Sequence, residues 1–170
     1  METATRLAAE GGYEAVQMRD VAGHAGVALG TLYRHFPSKD ELLLAALAEQ
    51  IETLRARSEQ RPATGDTPSE RVADVLRRAC RALQRRPELT AALITAMTST
   101  GDAPGKIGVH DGFSAIISGA LGDHHVENLD AIQRVLGHVW FSSLVAWVGG
   151  TTPAGRMGDD LESAARLLLP

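Results

Sequence analysis

The chain of 170 residues has one cysteine, Cys80, and therefore no internal disulfide. No apolar run approaches the roughly 20 residues needed to cross a bilayer. Met1 leads directly into a helical pattern, with no basic segment, apolar run and cleavage site. Neither a membrane span nor a secretory signal is expected, and the cytoplasm is the expected compartment. The six histidines are scattered, and His124 and His125 have no matching acidic or thiol pair beside them. With no His-Glu-x-x-His either, no metal site is expected. Gly-x-Ser-x-Gly, a phosphate loop and a dinucleotide fingerprint are all missing, so neither catalysis nor a cofactor is expected. Cys80 reads as a small buried residue of a helix.

Positive charge is also scarce, with a net charge of −4. Residues 1–39 carry Arg6, Arg19, Arg34 and Lys39 against Glu2, Glu10, Glu14 and Asp20. Overall charge gives no support for a nucleic-acid partner, but placement at the phosphates decides such binding. Between Met18 and Lys39 the bases Arg19, Arg34 and Lys39 face only Asp20.

Helical periodicity is present almost throughout, without strand alternation and without a repeat of about 20 to 50 residues. The spacing predicts an all-α fold with helices near 2–10, 18–25, 29–36, 38–59, 68–86, 87–98, 104–121, 128–149 and 159–168. Residues 60–67, with Pro62 and Gly65, read as a mobile connector, and 101–105 and 122–128 as loops. Thr67-Pro68-Ser69-Glu70 restarts the helix with Thr as N-cap, Pro at N1 and Glu at N3.

The most informative stretch runs from Met18 to Lys39. Val21, Ala22 and Ala25 share one helix face, and Gly26 follows where the chain leaves it through a left-handed residue. Val27 reads as an apolar plug of the turn. In the next helix Leu32 and Phe36 form an inner i, i+4 stripe, leaving Thr31, Tyr33, Arg34 and His35 largely outside it. Pro37 ends that helix, and Ser38 and Glu41 have capping-box spacing for the following one. Lys39 at that start is placed to hold a phosphate together with unpaired backbone N–H groups. Two short helices around a tight turn, with outward donors on the second, is the arrangement of a helix-turn-helix that reads the major groove.

Residues 5–47 resemble the DNA-binding domain of the TetR-family transcriptional regulators. The resemblance rests on Gly11-Gly12-Tyr13-Glu14, Val21-Ala22, Ala25-Gly26-Val27 and Gly30-Thr31-Leu32-Tyr33-Arg34-His35-Phe36-Pro37-Ser38-Lys39. Glu10 to Arg19, Gly30 to Lys39, Arg81 to Pro87, Arg134 to Trp140, Leu144 to Trp147 and Arg166 to Leu169 are further similar to the KstR-type repressors of steroid and cholesterol catabolism in actinobacteria. That resemblance implies a repressor acting as a homodimer on palindromic double-stranded DNA, with a DNA-binding domain at 1–47 and an effector-binding and dimerisation domain at 48–170. It implies that Thr31, Tyr33, His35 and Lys39 position the DNA backbone, with Arg19 beside them, and that Leu29, Gly30 and Arg34 lie nearest the bases. Ala28 lacks the side-chain N-cap of many relatives, and His35 replaces an aromatic hydroxyl. Members of the family usually carry a basic arm before the first helix; this sequence starts inside that helix, so either the arm is absent or the chain begins short of its natural start.

The segment 128–149 is apolar around most of its circumference, so one neighbour cannot cover it. By resemblance, it and 159–168 form the dimer through a four-helix bundle; a central helix of a monomeric core is the other reading. The resemblance further implies a small hydrophobic effector, a steroid or acyl-CoA thioester, against Leu93, Ile94, Met97, Phe113, Ile116, Ile117, Trp140, Leu144 and Trp147. Ordinary core packing is the competing reading for each of these. Arg77, Arg81 and Arg85 form an i, i+4 stripe open to three readings: a solvated face with Asp74 as partner, packing toward the DNA-binding domain, or a grip on CoA phosphates. For the whole chain the alternative is an all-α dimeric ligand-carrier or interaction module that does not bind DNA.

Overall fold

Local signals set most helix ends in the computed structural model, which describes residues 1–99 and 104–170. Among them the chain forms α1 (Glu2–Ala15), α2 (Met18–Ala25), α3 (Leu29–His35), α4 (Lys39–Gln60), α5 (Pro68–Gln84), α6 (Pro87–Ser99), α7 (Pro104–Leu121), α8 (Leu129–Val148) and α9 (Ala154–Leu168). The described residues contain no strand, and no helix among them is long and apolar enough to cross a membrane. The loop expected at 101–105 lies outside the described residues except for its last two positions, which open α7.

Both expected cap sequences act. The Ser38 hydroxyl accepts the Glu41 N–H at 3.1 Å. Thr67 Oγ1 accepts the Glu70 N–H at 3.2 Å while the Glu70 carboxylate accepts the Thr67 and Asp66 N–H groups, completing the capping box. These backbone donors hold the Glu70 carboxyl below its usual range. Loss of the hydroxyl leaves an N-terminal donor without its partner, so Thr67→Ala should cost about 1 kcal/mol, measured as a shift of the urea midpoint.

Two boundaries differ from expectation. α1 continues past residue 10 to Ala15 through a kink at Gly11 and Gly12, where Gly12 has φ 70° and ψ −161°, a conformation glycine reaches without strain. α9 begins at Ala154, five residues before the expected start at 159. Gly155 and Gly158 weaken the local signal there, while the fully buried Met157 anchors the first turns by contacts distant in sequence.

Packing gathers the chain into two compact units, one of Met1–Gln50 with Arg86–Val109 and one of Ile51–Arg85 with His110–Pro170. In the first, Ala4, Ala8, Val21, Leu32, Leu42 and Leu43 share a core with Leu89, Leu93 and Ala96 of α6. In the second, α9 packs against both α5 and α8, and Leu76, Leu136, Met157 and Leu161 are fully buried.

The 60–67 segment, expected to be a mobile connector, is tied down. Arg78 donates to the carbonyls of Arg61 (2.7 Å) and Pro62 (3.2 Å), and Asp74 accepts the Thr64 N–H and hydroxyl at 2.9 and 2.8 Å. Burial pushes the Asp74 carboxyl up, but its hydrogen bonds from Arg78 and Thr64 outweigh that and hold it low. These partners lie ten or more residues away, beyond the reach of local composition.

Cys80 is buried in α5, and desolvation pushes its thiol up to about 12. The thiolate is the reactive form. The native chain should therefore leave Ellman's reagent unreacted at pH 8 and consume one equivalent after unfolding.

Candidate functional site

α2 ends as its sequence directs. Gly26 has φ 67°, its N–H reaches the Gly23 carbonyl at 3.3 Å, and the Val27 N–H reaches the Ala22 carbonyl at 3.0 Å, which together close a Schellman turn. Val27 itself is 42% exposed and does not plug the turn. Ala25 is exposed as well, leaving Val21 and Ala22 to bury the face of α2. The turn is held by the left-handed glycine and its backbone bonds, which need no side chain there.

α3 turns Leu32 into the core and packs Leu29 and Phe36 against it. Thr31 is half-buried, while Gly30, Tyr33, Arg34 and His35 are exposed, Tyr33 by 46%. Neither α2 nor α3 has a side-chain cap bond at its N-terminus. The exposed residues of α3, its uncapped amides and the open glycine backbone form a polar edge suited to a groove of DNA.

A concave groove of about 670 Å³ lies beside that edge. Arg19 of α2, Leu29 and Tyr33 of α3, and Ser38 and Lys39 at the start of α4 all line it. Gln17 and Asp20 line it too. The sequence reading took Ser38 only as a helix cap and did not single out Gln17, although Gln17 stands at the start of α2, where helix N–H groups lack intrahelical partners. Gly30, Thr31, Arg34 and His35 lie outside the groove.

Lys39 has a second engagement that its position did not announce. Its Nζ donates to the Tyr13 carbonyl at 3.1 Å, stands 3.7 Å from the Tyr13 ring centroid and lies 4.0 Å from the Glu14 carboxylate. The Tyr13 hydroxyl donates to Asp40 Oδ1 at 2.6 Å. Burial, that hydrogen bond and the charges of Asp40 and Glu14 push the Tyr13 phenol up to about 12. Tyr13 thus bolts the end of α1 to the start of α4 and holds the Lys39 ammonium where that residue lines the groove.

The nine residues expected at the effector are divided between the two units. Leu93 packs in the core of the first unit among Leu42, Leu43 and Leu89, and Ile94 and Met97 belong to the same unit. Phe113, Ile116, Ile117, Trp140, Leu144 and Trp147 belong to the second. There the Phe113 and Trp140 rings meet edge-on, with centroids 4.7 Å apart. Trp140 is buried, and its indole N–H has no partner among the described residues. Of the expected arginine stripe, Arg77 pairs with Glu162 of α9, and Asp74 pairs with Arg78 instead. The outer side of α8 exposes Val135 and Val145, each 40%, and α9 exposes Leu167 by 86%.

A helix-turn-helix head followed by a larger helical body defines a regulator that reads DNA. The chain belongs to the TetR family of DNA-binding transcriptional repressors: residues 1–46 match the family of bacterial regulatory proteins of the tetR type, and residues 65–168 match the tetracyclin repressor-like C-terminal domain. It is 40% identical to the HTH-type transcriptional repressor KstR of Rhodococcus jostii, over 99% of this chain and 80% of that protein. With KstR of Mycolicibacterium smegmatis it shares 38% identity over 99% and 84%. The fold is similar to that of a TetR transcriptional regulator from Rhodococcus sp. RHA1, with a TM-score of 0.90 and 34% identity, covering 98% of this chain and 91% of that one. It also resembles the fold of Thermus thermophilus FadR, a TetR-family repressor solved with lauroyl-CoA, with a TM-score of 0.75 and 22% identity over 98% and 92%.

Proposed function

We propose that this protein acts in the cytoplasm as a homodimer on a palindromic operator and leaves it when a small hydrophobic effector, a steroid or acyl-CoA thioester, binds. The observation that carries the reading is the groove where Arg19, Tyr33 and Lys39 converge beside the exposed edge of α3. Three donors from three helices fit the DNA backbone there. In this reading Thr31 and His35 add backbone contacts, while Leu29, Gly30 and Arg34 lie nearest the bases. Residues 1–47 are the reading head and 48–170 carry effector binding and dimerisation. The protein is a regulator without a catalytic role of its own.

The effector reading draws on Phe113, Ile116, Ile117, Trp140, Leu144 and Trp147 of α7 and α8. An unpaired buried N–H costs about 1–3 kcal/mol, and a ligand oxygen at Trp140 would satisfy it. The effector must bind the DNA-free state better to release the operator. Similarity to KstR repressors supports a steroid thioester, and the lauroyl-CoA complex of the Thermus relative supports the wider acyl-CoA class.

Fluorescence anisotropy on labelled DNA from the protein's own promoter region tests this. Binding should weaken steeply with salt and be abolished by a steroid-CoA thioester. Tyr33→Ala should weaken it about tenfold, equivalent to losing one charge-assisted backbone contact. Equal binding by parent and variant would remove Tyr33 from the interface.

A further inference from the structure

The chain has only two lysines, Lys39 and Lys106. Of the three bases between Met18 and Lys39, Arg19 and Arg34 are exposed, with no hydrogen bond or ion pair among the described residues. Lys39 differs from both. Its side chain is only 21% exposed, and its Nζ stands on the Tyr13 ring while donating to the Tyr13 carbonyl. The ring is fixed in turn, because the Tyr13 hydroxyl donates to Asp40, the residue after Lys39 on α4. With that phenol pushed up to about 12, the bond to Asp40 persists at every pH near neutrality. The third neighbour, Glu14, is 88% exposed, and at 4.0 Å its carboxylate lies beyond hydrogen-bond distance.

An ammonium group has three donors. The Tyr13 carbonyl takes one, and the ring face attracts the charge without accepting a conventional hydrogen bond. A donor is left for a phosphate oxygen in the groove that Lys39 lines with Arg19, Tyr33 and Ser38. An unrestrained lysine loses more rotamer freedom than most side chains when it meets a phosphate, and that loss is subtracted from affinity. Here folding has already fixed the side chain. The part that fixes it comes from α1, which supplies no lining residue of the groove.

We propose that Tyr13 is a positioning residue for operator binding: its ring holds the Lys39 ammonium ready for a DNA phosphate and does not touch DNA itself. This role rests on the DNA-binding reading above. Two measurements on the full chain test it. With lysine labelled with carbon-13 at Cε, the parent should give two signals, assigned by Lys106→Arg, and the Tyr13 ring current should move that of Lys39 upfield. Tyr13→Leu should abolish that shift and Tyr13→Phe should keep it. Adding DNA to the parent should also keep it, since the ring holds the ammonium in the complex. In anisotropy on labelled promoter-region DNA, Tyr13→Leu should bind about three- to tenfold more weakly, and Tyr13→Phe within about twofold of the parent. Lys39→Met should lose at least as much as Tyr13→Leu and lower the slope of log affinity against log salt by about one per head. Tyr13→Leu added to Lys39→Met should cost nothing further, whereas a merely structural role would weaken binding equally in both backgrounds. Equal losses in the two backgrounds, a loss in Tyr13→Phe as large as in Tyr13→Leu, or an unshifted Lys39 signal in the parent, alone or with DNA, overturns the positioning role and leaves DNA binding standing. A parent without salt-dependent DNA binding removes the operator reading and this role with it, so the two failures are told apart by the parent alone.

Discussion

Val145→Glu should turn the protein into a monomer in sedimentation velocity and lower its affinity for palindromic operator DNA by about 10²–10⁴-fold, the advantage of two linked heads over one. Val145 stands 40% exposed on α8, on the same side as Val135, and α9 adds Leu167 at 86%. Apolar side chains left open on the two helices expected to build the dimer are what a second copy of this chain would cover. A carboxylate at the centre of that contact loses its water without gaining a partner. The helix itself should survive, because Leu136, Trp140 and Leu144 hold its inner side in the core. Circular dichroism should show unchanged helicity. A dimer with full operator affinity would place the interface elsewhere. The effect on DNA follows from geometry: two recognition helices about 34 Å apart read a palindrome that one head cannot hold alone.

Leu161→Ala should destabilise the chain by about 2–5 kcal/mol, lowering the melting temperature by roughly 5 to 15 °C for a chain of this size. Leu161 is fully buried on α9, the helix that packs against both α5 and α8. Truncation removes its transfer energy and leaves a void that three helices cannot all close at once. Leu167→Ala on the same helix removes an exposed side chain and should change the stability of the isolated protomer by no more than about 0.5 kcal/mol. Thermal melts of the two variants side by side, at concentrations where both are monomeric, separate core packing from interface. Equal losses would mean that α9 is held mainly by its outer face.

Most helix ends were legible because their causes are local. Ser38 and Thr67 cap the helices they precede, and Gly26 takes the left-handed turn after α2. The early start of α9 was not legible, since Met157 anchors it through contacts from elsewhere in the chain. Within the candidate site the sequence picked out Arg19, Tyr33 and Lys39, and only folding put them around one groove. It named Leu93 and Trp140 together, and folding packs Leu93 in the core of the first unit and Trp140 against Phe113 in the second.

The sequence by itself determined the all-helical chain, the helix-turn-helix with its turn glycine, and the family, because these depend on spacing, caps and backbone preferences within a few residues. Tertiary structure alone decided how the arginines divide. Arg77 turned to Glu162 of α9, while Arg81 and Arg85 joined Arg57 and Arg61 around one cleft; the Arg78–Asp74 pair, four residues apart on α5, is the local exception. Which charge meets a counter-charge depends on the helix packed opposite, and a helical stripe does not carry that information.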